Sequence, residues 1–229
     1  MLIGGLQKVS LIEYPGKIGA IAFTQGCNFR CPYCHNPELV DPDLYRECLS
    51  EEGVLSFLEK RKGKLDALTI TGGEPTIQVD LLDFIKCVKN IGYLIKIDTN
   101  GSCPEVLERL ISGRLVDYIA MDIKGPLHKY RTVTRSKIDE DKIRQSIEII
   151  MKSEMPYEFR TTVPKRLLDE DDLMEMGMLL KNASCYILQQ FVPTRTLDKQ
   201  FLKCEAYSQE EMESFREKLK RDVPVVRLR

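Results

Sequence analysis

Short strand patterns alternate along this chain with amphipathic helix patterns, and this alternation limits the possible fold more than any other feature. Most of the strand-like runs are rich in β-branched or aromatic residues. The predicted strands are residues 18–24, 67–71, 94–98, 116–122, 157–163 and 185–191. The predicted helices are residues 50–61, 79–90, 104–111, 139–152, 169–181 and 208–220, and a short last strand is expected over 223–228.

Six strands that alternate with helices predict parallel β/α units joined by right-handed crossovers, as an open doubly wound sheet or as a barrel. A full eight-unit barrel typically needs about 250 residues, and the 229 residues of this chain accommodate six units. We therefore predict an α/β fold, a partial (β/α)6 TIM-like barrel of parallel strands with outer helices. No linker or internal repeat divides the chain, so we expect a single domain over residues 1–229. Its core covers about 18–191, and residues 192–229 form a C-terminal helix and strand extension.

Composition argues against several classes of partner. The chain has 34 Lys and Arg residues against 35 Asp and Glu residues, so no basic excess points to nucleic acid. The longest apolar runs, residues 18–23 and 91–95, are far shorter than the roughly 18 residues that a membrane helix needs. Residues 1–5 show no basic start before a long apolar stretch, the pattern of a secretory signal. We expect a cytoplasmic protein without nucleic-acid or membrane partners.

Polar or glycine-rich residues follow the predicted strands, where the active sites of parallel α/β folds lie. Residues 25–36 follow the first strand, 72–75 the second, 98–101 the third and 122–124 the fourth. The last two strands carry Arg160, Thr162, Gln189, Gln190 and Phe191 near their ends. Because these ends meet at one rim, we expect a single extended site.

The loop after the first strand contains Cys27, Cys31 and Cys34, and four interpretations compete for it. The pair Cys31-Pro-Tyr-Cys34 is typical of a thiol–disulfide site, which leaves Cys27 without a role. Cys31-x-x-Cys34-His35 also matches covalent haem attachment, which belongs to exported proteins. Structural zinc needs four tetrahedral ligands, and adjacent Cys34 and His35 can seldom both reach one ion. The fourth interpretation is a four-iron cluster in which three thiolates leave one iron free for a ligand.

Five further cysteines are spread along the chain and are interpreted as small buried or half-buried residues. They are Cys48, Cys87, Cys103, Cys185 and Cys204.

The three-cysteine loop resembles the cluster motif of the radical S-adenosylmethionine (SAM) superfamily, C-x-x-x-C-x-aromatic-C, with Tyr33 as the aromatic residue. Residues 72–75, Gly-Gly-Glu-Pro, resemble the second-strand motif of that superfamily. The similarity extends over about residues 18–191. Within the superfamily, residues 26–37 are close to the signature of glycyl-radical-enzyme activating proteins. Residues 6–16 and 159–164 most resemble the activating proteins of anaerobic ribonucleoside-triphosphate reductase.

This resemblance implies one 4Fe–4S cluster bound by Cys27, Cys31 and Cys34, with SAM as the second cofactor. It places Gly72, Gly73 and Glu74 at the methionine end of SAM. It also implies a monovalent cation near Asp98 and Asp122. The complete set of SAM-contacting residues that it implies is Tyr33, Gly72, Gly73, Glu74, Asp98, Asn100, Asp122, Lys124, Arg160, Gln189 and Phe191.

The reaction implied by the resemblance starts with reduction of the cluster by a one-electron donor such as flavodoxin or ferredoxin. SAM is then cleaved to methionine and a 5′-deoxyadenosyl radical, which takes hydrogen from a glycine of a partner glycyl radical enzyme. The implied partner is anaerobic ribonucleoside-triphosphate reductase, and no catalytic side chain is expected beyond the cluster and SAM. Two alternatives stay open, namely a radical SAM enzyme with a small-molecule substrate and a zinc or dithiol redox protein.

Overall fold

The computed structural model describes residues 1–229 and contains one eight-stranded sheet whose spatial order follows the chain. The strands are β1 (Ile3–Ser10), β2 (Gly19–Thr24), β3 (Ala67–Gly72), β4 (Leu94–Thr99), β5 (Tyr118–Asp122), β6 (Tyr157–Val163), β7 (Tyr186–Gln190) and β8 (Val226–Leu228). β1 pairs antiparallel with β2, and every later pair is parallel. β1 and β8 do not pair with each other, so the barrel is open. The prediction of an α/β partial barrel is confirmed.

Helices cover the outside of the barrel, and all six predicted helices are present. The full set is α1 (Pro37–Val40), α2 (Glu51–Arg61), α3 (Leu81–Ile91), α4 (Pro104–Ser112), α5 (Tyr130–Thr134), α6 (Glu140–Lys152), α7 (Glu170–Leu179) and α8 (Gln209–Leu219). Local sequence explains several starts, because Ser50 caps α2 and Asp169 and Ser208 form capping boxes. No helix of this chain has both the length and the apolar character that a membrane crossing requires.

Alternation along the strands separates an apolar outer layer from a polar barrel interior. On β4, Ile95 and Ile97 belong to the hydrophobic core, and Lys96 and Asp98 lie on the opposite face of the strand. The helices complete the core from outside, as when α3 buries Phe84 and Val88. Asp98, Asp122 and Arg160, three charged residues of this polar interior, line the site described below.

The N-terminal strand β1 was not predicted, and it changes the edge of the barrel. It pairs with β2 from Ile3 opposite Thr24 to Ser10 opposite Gly19. The connection that follows brings Tyr14 against Tyr118 at the start of β5, with ring centroids 5.8 Å apart. β1 thus protects one edge of β2, and Gln7 of β1 and Glu13 of the connection also line the cleft described below.

Candidate active site

The C-terminal strand ends surround a cleft of about 420 Å³, within the roughly 300–1,000 Å³ that small-molecule sites occupy. Every predicted site residue except Phe191 lines this cleft. These residues are Cys27, Cys31, Tyr33, Cys34, Gly72, Gly73, Glu74, Asp98, Asn100, Asp122, Lys124, Arg160 and Gln189. The structure therefore brings together side chains from six strands or their loops at one rim.

Backbone hydrogen bonds hold the cysteine loop, residues 25–36, from several sides. The Arg30 N–H donates to the Thr134 carbonyl at 2.8 Å, which ties the loop to the end of α5. On the other side, the N–H groups of Leu197 and Asp198 donate to the carbonyls of Cys34 and Pro32, at 3.1 and 2.9 Å. These bonds fix the loop so that its three sulfur atoms line one wall of the cleft.

The environment of the three thiols distinguishes among the interpretations of the loop. Burial raises the pKa of Cys27 to about 12 and that of Cys31 to about 11, and it also raises the pKa of Cys34. The C-x-x-C sequence of a thiol–disulfide site typically lowers a thiol pKa, and the shifts of Cys31 and Cys34 have the opposite direction. A single zinc ion needs converging ligands, and no three His, Cys, Asp or Glu side chains converge in this chain. Thiolates of a cluster bind different iron atoms and fit this spacing.

Two glycines allow the loop after β3 to pack closely against the cysteine loop. The Gly73 N–H donates to the Thr24 carbonyl, and the Glu74 N–H donates to the Gly26 carbonyl, both at 2.8 Å. Gly72 has a φ of +115°, and a Cβ atom on Gly73 would lie 2.0 Å from the Gly26 oxygen. Glycine is therefore required here by the close approach of two backbones.

We expect Gly73→Ala to weaken both the fold and the site. The added methyl group must displace the Gly26 carbonyl by more than 1 Å to reach an ordinary contact of 3.4 Å. Overpacking of this kind costs about 1–3 kcal/mol, and misplacement by about 1 Å can cost about 10²-fold in rate. Urea unfolding and SAM cleavage by the reconstituted enzyme measure the two effects. Gly5→Ala is the matched control because its Cβ meets only Phe23 at 3.8 Å. Equal results for both variants would contradict the expectation.

The Glu74 carboxylate joins the loops after β3 and β4. Its Oε1 accepts hydrogen bonds from the Thr76 N–H at 3.0 Å, from the Thr76 hydroxyl and from the Thr99 hydroxyl at 2.7 Å. Its Oε2 accepts one bond, from the Asn100 N–H at 2.7 Å. Burial raises the pKa of Glu74, and these bonds oppose that rise. The less occupied Oε2 is available for the predicted contact with an ammonium group, which stays a prediction.

A second polar link, found around Asn100, ties the cysteine loop to the loop after β4. The Asn100 side-chain amide donates to Asn28 at 2.9 Å, and the Asn28 amide donates to the Ser102 hydroxyl at 2.8 Å. The Ser102 N–H closes the set by donating to the Asn100 side chain at 2.9 Å. Sequence reasoning missed Asn28 and Ser102. Asn28 stood inside the quoted motif, but only the third dimension shows which loop it contacts.

A row of five alternating charges crosses the ends of β4, β5 and β6. The Lys96 ammonium contacts one oxygen of Asp98, and Arg160 donates to the other at 3.2 Å. Arg160 also donates to Asp122 at 2.8 Å, and Lys124 contacts the second oxygen of Asp122 at 3.1 Å. We call these five residues the ionic ladder. Four were predicted site residues, and Lys96 was missed.

The ladder controls the ionisation of its members. Burial alone would raise the pKa values of Asp98 and Asp122, but Arg160 and the neighbouring lysines hold both below their usual value. Burial likewise opposes the charged form of Lys124, yet Asp122 keeps the pKa of Lys124 well above its usual value. The side chains of Asp98, Asp122, Lys124 and Arg160 are thus charged at neutral pH, which gives the cleft a fixed charge pattern.

Tyr33 lines the cleft and carries an unpaired, buried polar atom, and Phe191 packs against its ring. The Tyr33 hydroxyl is buried and has no hydrogen-bond partner, so it fits a polar ligand. Phe191 is fully buried and packs edge-on against Tyr33, with centroids 6.4 Å apart, and stacks on His35 at 5.7 Å. Its predicted contact with adenine stays a prediction. In this structure Phe191 supports the two rings that line the cleft.

The remaining cysteines lie outside the cleft. Cys48, Cys103, Cys185 and Cys204 are half-buried, as expected, and Cys87 is exposed on α3, contrary to the expectation of burial. Cys87 lies on the face of α3 that is exposed to solvent, whereas Phe84 and Val88 lie on the face that packs against the core.

The three-cysteine loop and the polar cleft at the strand ends define a radical SAM protein, and the chain belongs to the Radical SAM superfamily, whose family model matches residues 21–177. It is 35% identical over 207 residues to a protein of Methanocaldococcus jannaschii that is provisionally named a glycyl-radical enzyme activating enzyme. That alignment covers 88% of this chain and 85% of the relative. This similarity places the chain in the family of glycyl-radical-enzyme activating enzymes.

Two further similarities agree with this family. A pyruvate formate-lyase-activating enzyme of Listeria monocytogenes is 31% identical, over 76% of this chain and 73% of that protein. The solved structure of TYW1 with a lysine-pyruvate adduct has a TM-score of 0.64 at 15% identity, over 90% of this chain and 74% of that one, and shows the shared fold. Superfamily membership implies an iron–sulfur cluster and SAM. The three sulfur atoms, the glycine contact and the unpaired Tyr33 hydroxyl fit these two cofactors.

Proposed function

We propose that this enzyme installs a glycyl radical on anaerobic ribonucleoside-triphosphate reductase. The observation that carries the proposal is that three buried or half-buried cysteines and four members of the ionic ladder, all except Lys96, line the same cleft at the strand ends. The activating enzymes among the relatives support a glycyl radical enzyme as the partner. The choice of the reductase rests on the resemblance of residues 6–16 and 159–164.

When bound, the cluster and SAM supply a one-electron cleavage that yields a 5′-deoxyadenosyl radical, with the electron coming from a donor such as flavodoxin or ferredoxin. Cys27, Cys31 and Cys34 would hold the cluster. Because all three thiols have raised pKa values, loading releases protons. Each thiolate ligand therefore forms only when iron replaces its proton.

The rest of the chain positions SAM and excludes water. The backbone of Gly72 and Gly73 and the Oε2 atom of Glu74 would hold the ammonium group of the methionine end. Lys124 and Arg160 carry the positive charge that a carboxylate needs, and Asp98 and Asp122 offer acceptors for ribose hydroxyls. No side chain has to move a proton, since hydrogen is transferred as an atom.

The test is an anaerobic assay with the purified reductase as substrate. The reconstituted and reduced enzyme is mixed with SAM and the reductase, and electron spin resonance is recorded together with methionine and 5′-deoxyadenosine. We expect a glycyl radical signal on the reductase and one molecule of methionine per radical. Pyruvate formate-lyase is assayed in parallel. SAM cleavage with a signal only on the lyase would contradict the proposed partner, and a loaded enzyme that forms no radical on either protein would contradict the proposed activity.

A further inference from the structure

Two carboxylates of the ionic ladder, Asp98 and Asp122, lie on adjacent strands and line the cleft. Carboxylate oxygens are the ligands that hard cations prefer, so the pair is where an added cation is expected. Nevertheless, no three metal-ligating side chains converge there or elsewhere in the chain. Positively charged side chains contact both carboxylates instead. Among them Lys96, which contacts Asp98, is unusual.

Lys96 is the only lysine of the chain that is buried, with 1% of its surface exposed. A buried ammonium is costly unless an opposite charge compensates it. Lys96 lies two residues before Asp98, on the same face of β4, and its ammonium contacts Asp98 within the barrel. Since Arg160 takes the other oxygen of Asp98, both oxygens are bound by cations of the chain itself.

Asp98 depends on Lys96 because its other cationic partner, Arg160, is shared with further carboxylates. The cationic groups are Lys96, Lys124 and Arg160, and the carboxylates are Asp98, Asp122 and Glu158, which lies 4.0 Å from Arg160. Glu158 is further bound by the Tyr118 hydroxyl at 3.1 Å and faces Arg229 at 3.7 Å. Without Lys96, Asp98 would have no cation of its own and would share the Arg160 guanidinium with Asp122 and Glu158.

We propose that Lys96 is a built-in counter-ion, whose ammonium takes the position beside Asp98 that a bound monovalent cation would fill. Lys96 is thus a positioning residue that holds Asp98 and, through it, Arg160. Because the ammonium is attached to the chain, the wall of the cleft forms at any ion concentration. The part of this proposal that concerns SAM rests on the proposed function, and the part that concerns the charges does not.

The first experiment uses the cofactor-free chain, so it is independent of the proposed function. Thermal unfolding of the wild type is compared in sodium, potassium and N-methylglucamine chloride at equal ionic strength. We expect one Tm in all three salts. Lys96→Met, which removes the charge at similar length, should lower Tm, and sodium or potassium should restore part of the loss in a concentration-dependent manner. The control variant is Lys89→Met, which removes a half-exposed ion pair with Asp117. Its Tm should not respond to sodium or potassium.

The second experiment measures SAM binding to the loaded enzyme by calorimetry in the same salts. We expect wild-type Kd to be the same in each, and Lys96→Met to bind about tenfold more weakly or worse in N-methylglucamine, with recovery in sodium or potassium. The double variant Lys96→Met/Asp98→Asn removes both charges and should lose the cation response of Tm.

Two kinds of result would overturn the proposal. A wild-type Tm or Kd that responds to sodium or potassium would show that a free ion takes the position. A Lys96→Met chain that shows no cation response, or that stays unfolded in every salt, would show that no cation replaces the ammonium. If the Tm results hold and SAM fails to bind the wild type, the counter-ion role stands and the proposed function fails.

Discussion

Replacing Cys31 by alanine is expected to abolish cluster binding and, with it, all cleavage of SAM. Cys31 is the most buried of the three loop thiols and lines the same cleft wall as Cys27 and Cys34. Since a four-iron cluster normally takes one thiolate per iron, two remaining thiolates leave two irons without protein ligands. Iron analysis after anaerobic reconstitution should fall from about four atoms per chain to below about one. Methionine release should fall to background.

The control for this variant is Cys87→Ala, because Cys87 is exposed on α3 and lies outside the cleft. It should keep the iron content and cleavage rate of the wild type. Circular dichroism separates loss of the cluster from loss of the fold, and the barrel of Cys31→Ala should persist because the loop is held by backbone bonds. A Cys31→Ala enzyme that retained about four iron atoms and still cleaved SAM would show that another ligand holds the cluster.

The barrel was predictable because periodicity alone distinguishes its strands from its helices. β1 was the exception, since two glycines, Gly4 and Gly5, interrupt its apolar pattern and three consecutive residues after Leu6 are exposed. It exists because β2 offers an unpaired edge, and glycine is favoured at position 4 because a Cβ there would come within 2.7 Å of Leu39. Both reasons depend on tertiary contacts, which the local sequence of β1 does not show. The five-residue α5 is likewise held by its surroundings, with Tyr130 and Val133 buried beneath the site.

The site was predictable as a set of positions but not as a set of contacts. A motif identifies Glu74 as a site residue, yet no pattern shows that Thr76, Thr99 and Asn100 all donate to its carboxylate. Lys96 did carry a usable signal, because a charged residue two positions before Asp98 on a buried strand must share its face. Arg160 was predicted as a site residue, but no sequence pattern identified its partners, since they lie 38 and 62 residues away.

Arg160→Met should be the most destabilising substitution in the cleft that leaves the cysteines intact. Arg160 is buried and bridges Asp98 at 3.2 Å and Asp122 at 2.8 Å, so its removal leaves the buried Asp98 and the half-buried Asp122 with only Lys96 and Lys124 as partners. Breaking a buried pair by removing one partner costs about 3–5 kcal/mol, and about 2–4 °C in Tm accompany each kcal/mol at this chain length. Arg216→Met breaks an exposed pair on α8 and should cost below about 1 kcal/mol.

The pH dependence of this loss identifies its cause. Arg160 holds the pKa values of Asp98 and Asp122 below their usual value, so the stability that it contributes is present above an unfolded-state pKa of about 3.9 and is lost as the pH falls. In Arg160→Met, burial raises both pKa values, and protonation relieves the unpaired charge at a higher pH than in the wild type. The difference in the free energy of unfolding should therefore be largest near pH 7 and shrink toward pH 4, as measured by urea unfolding. A difference in the free energy of unfolding that stays constant across this range would mean that Arg160 stabilises the fold by packing. In that case only the two lysines would hold the carboxylates of the ladder in their charged form.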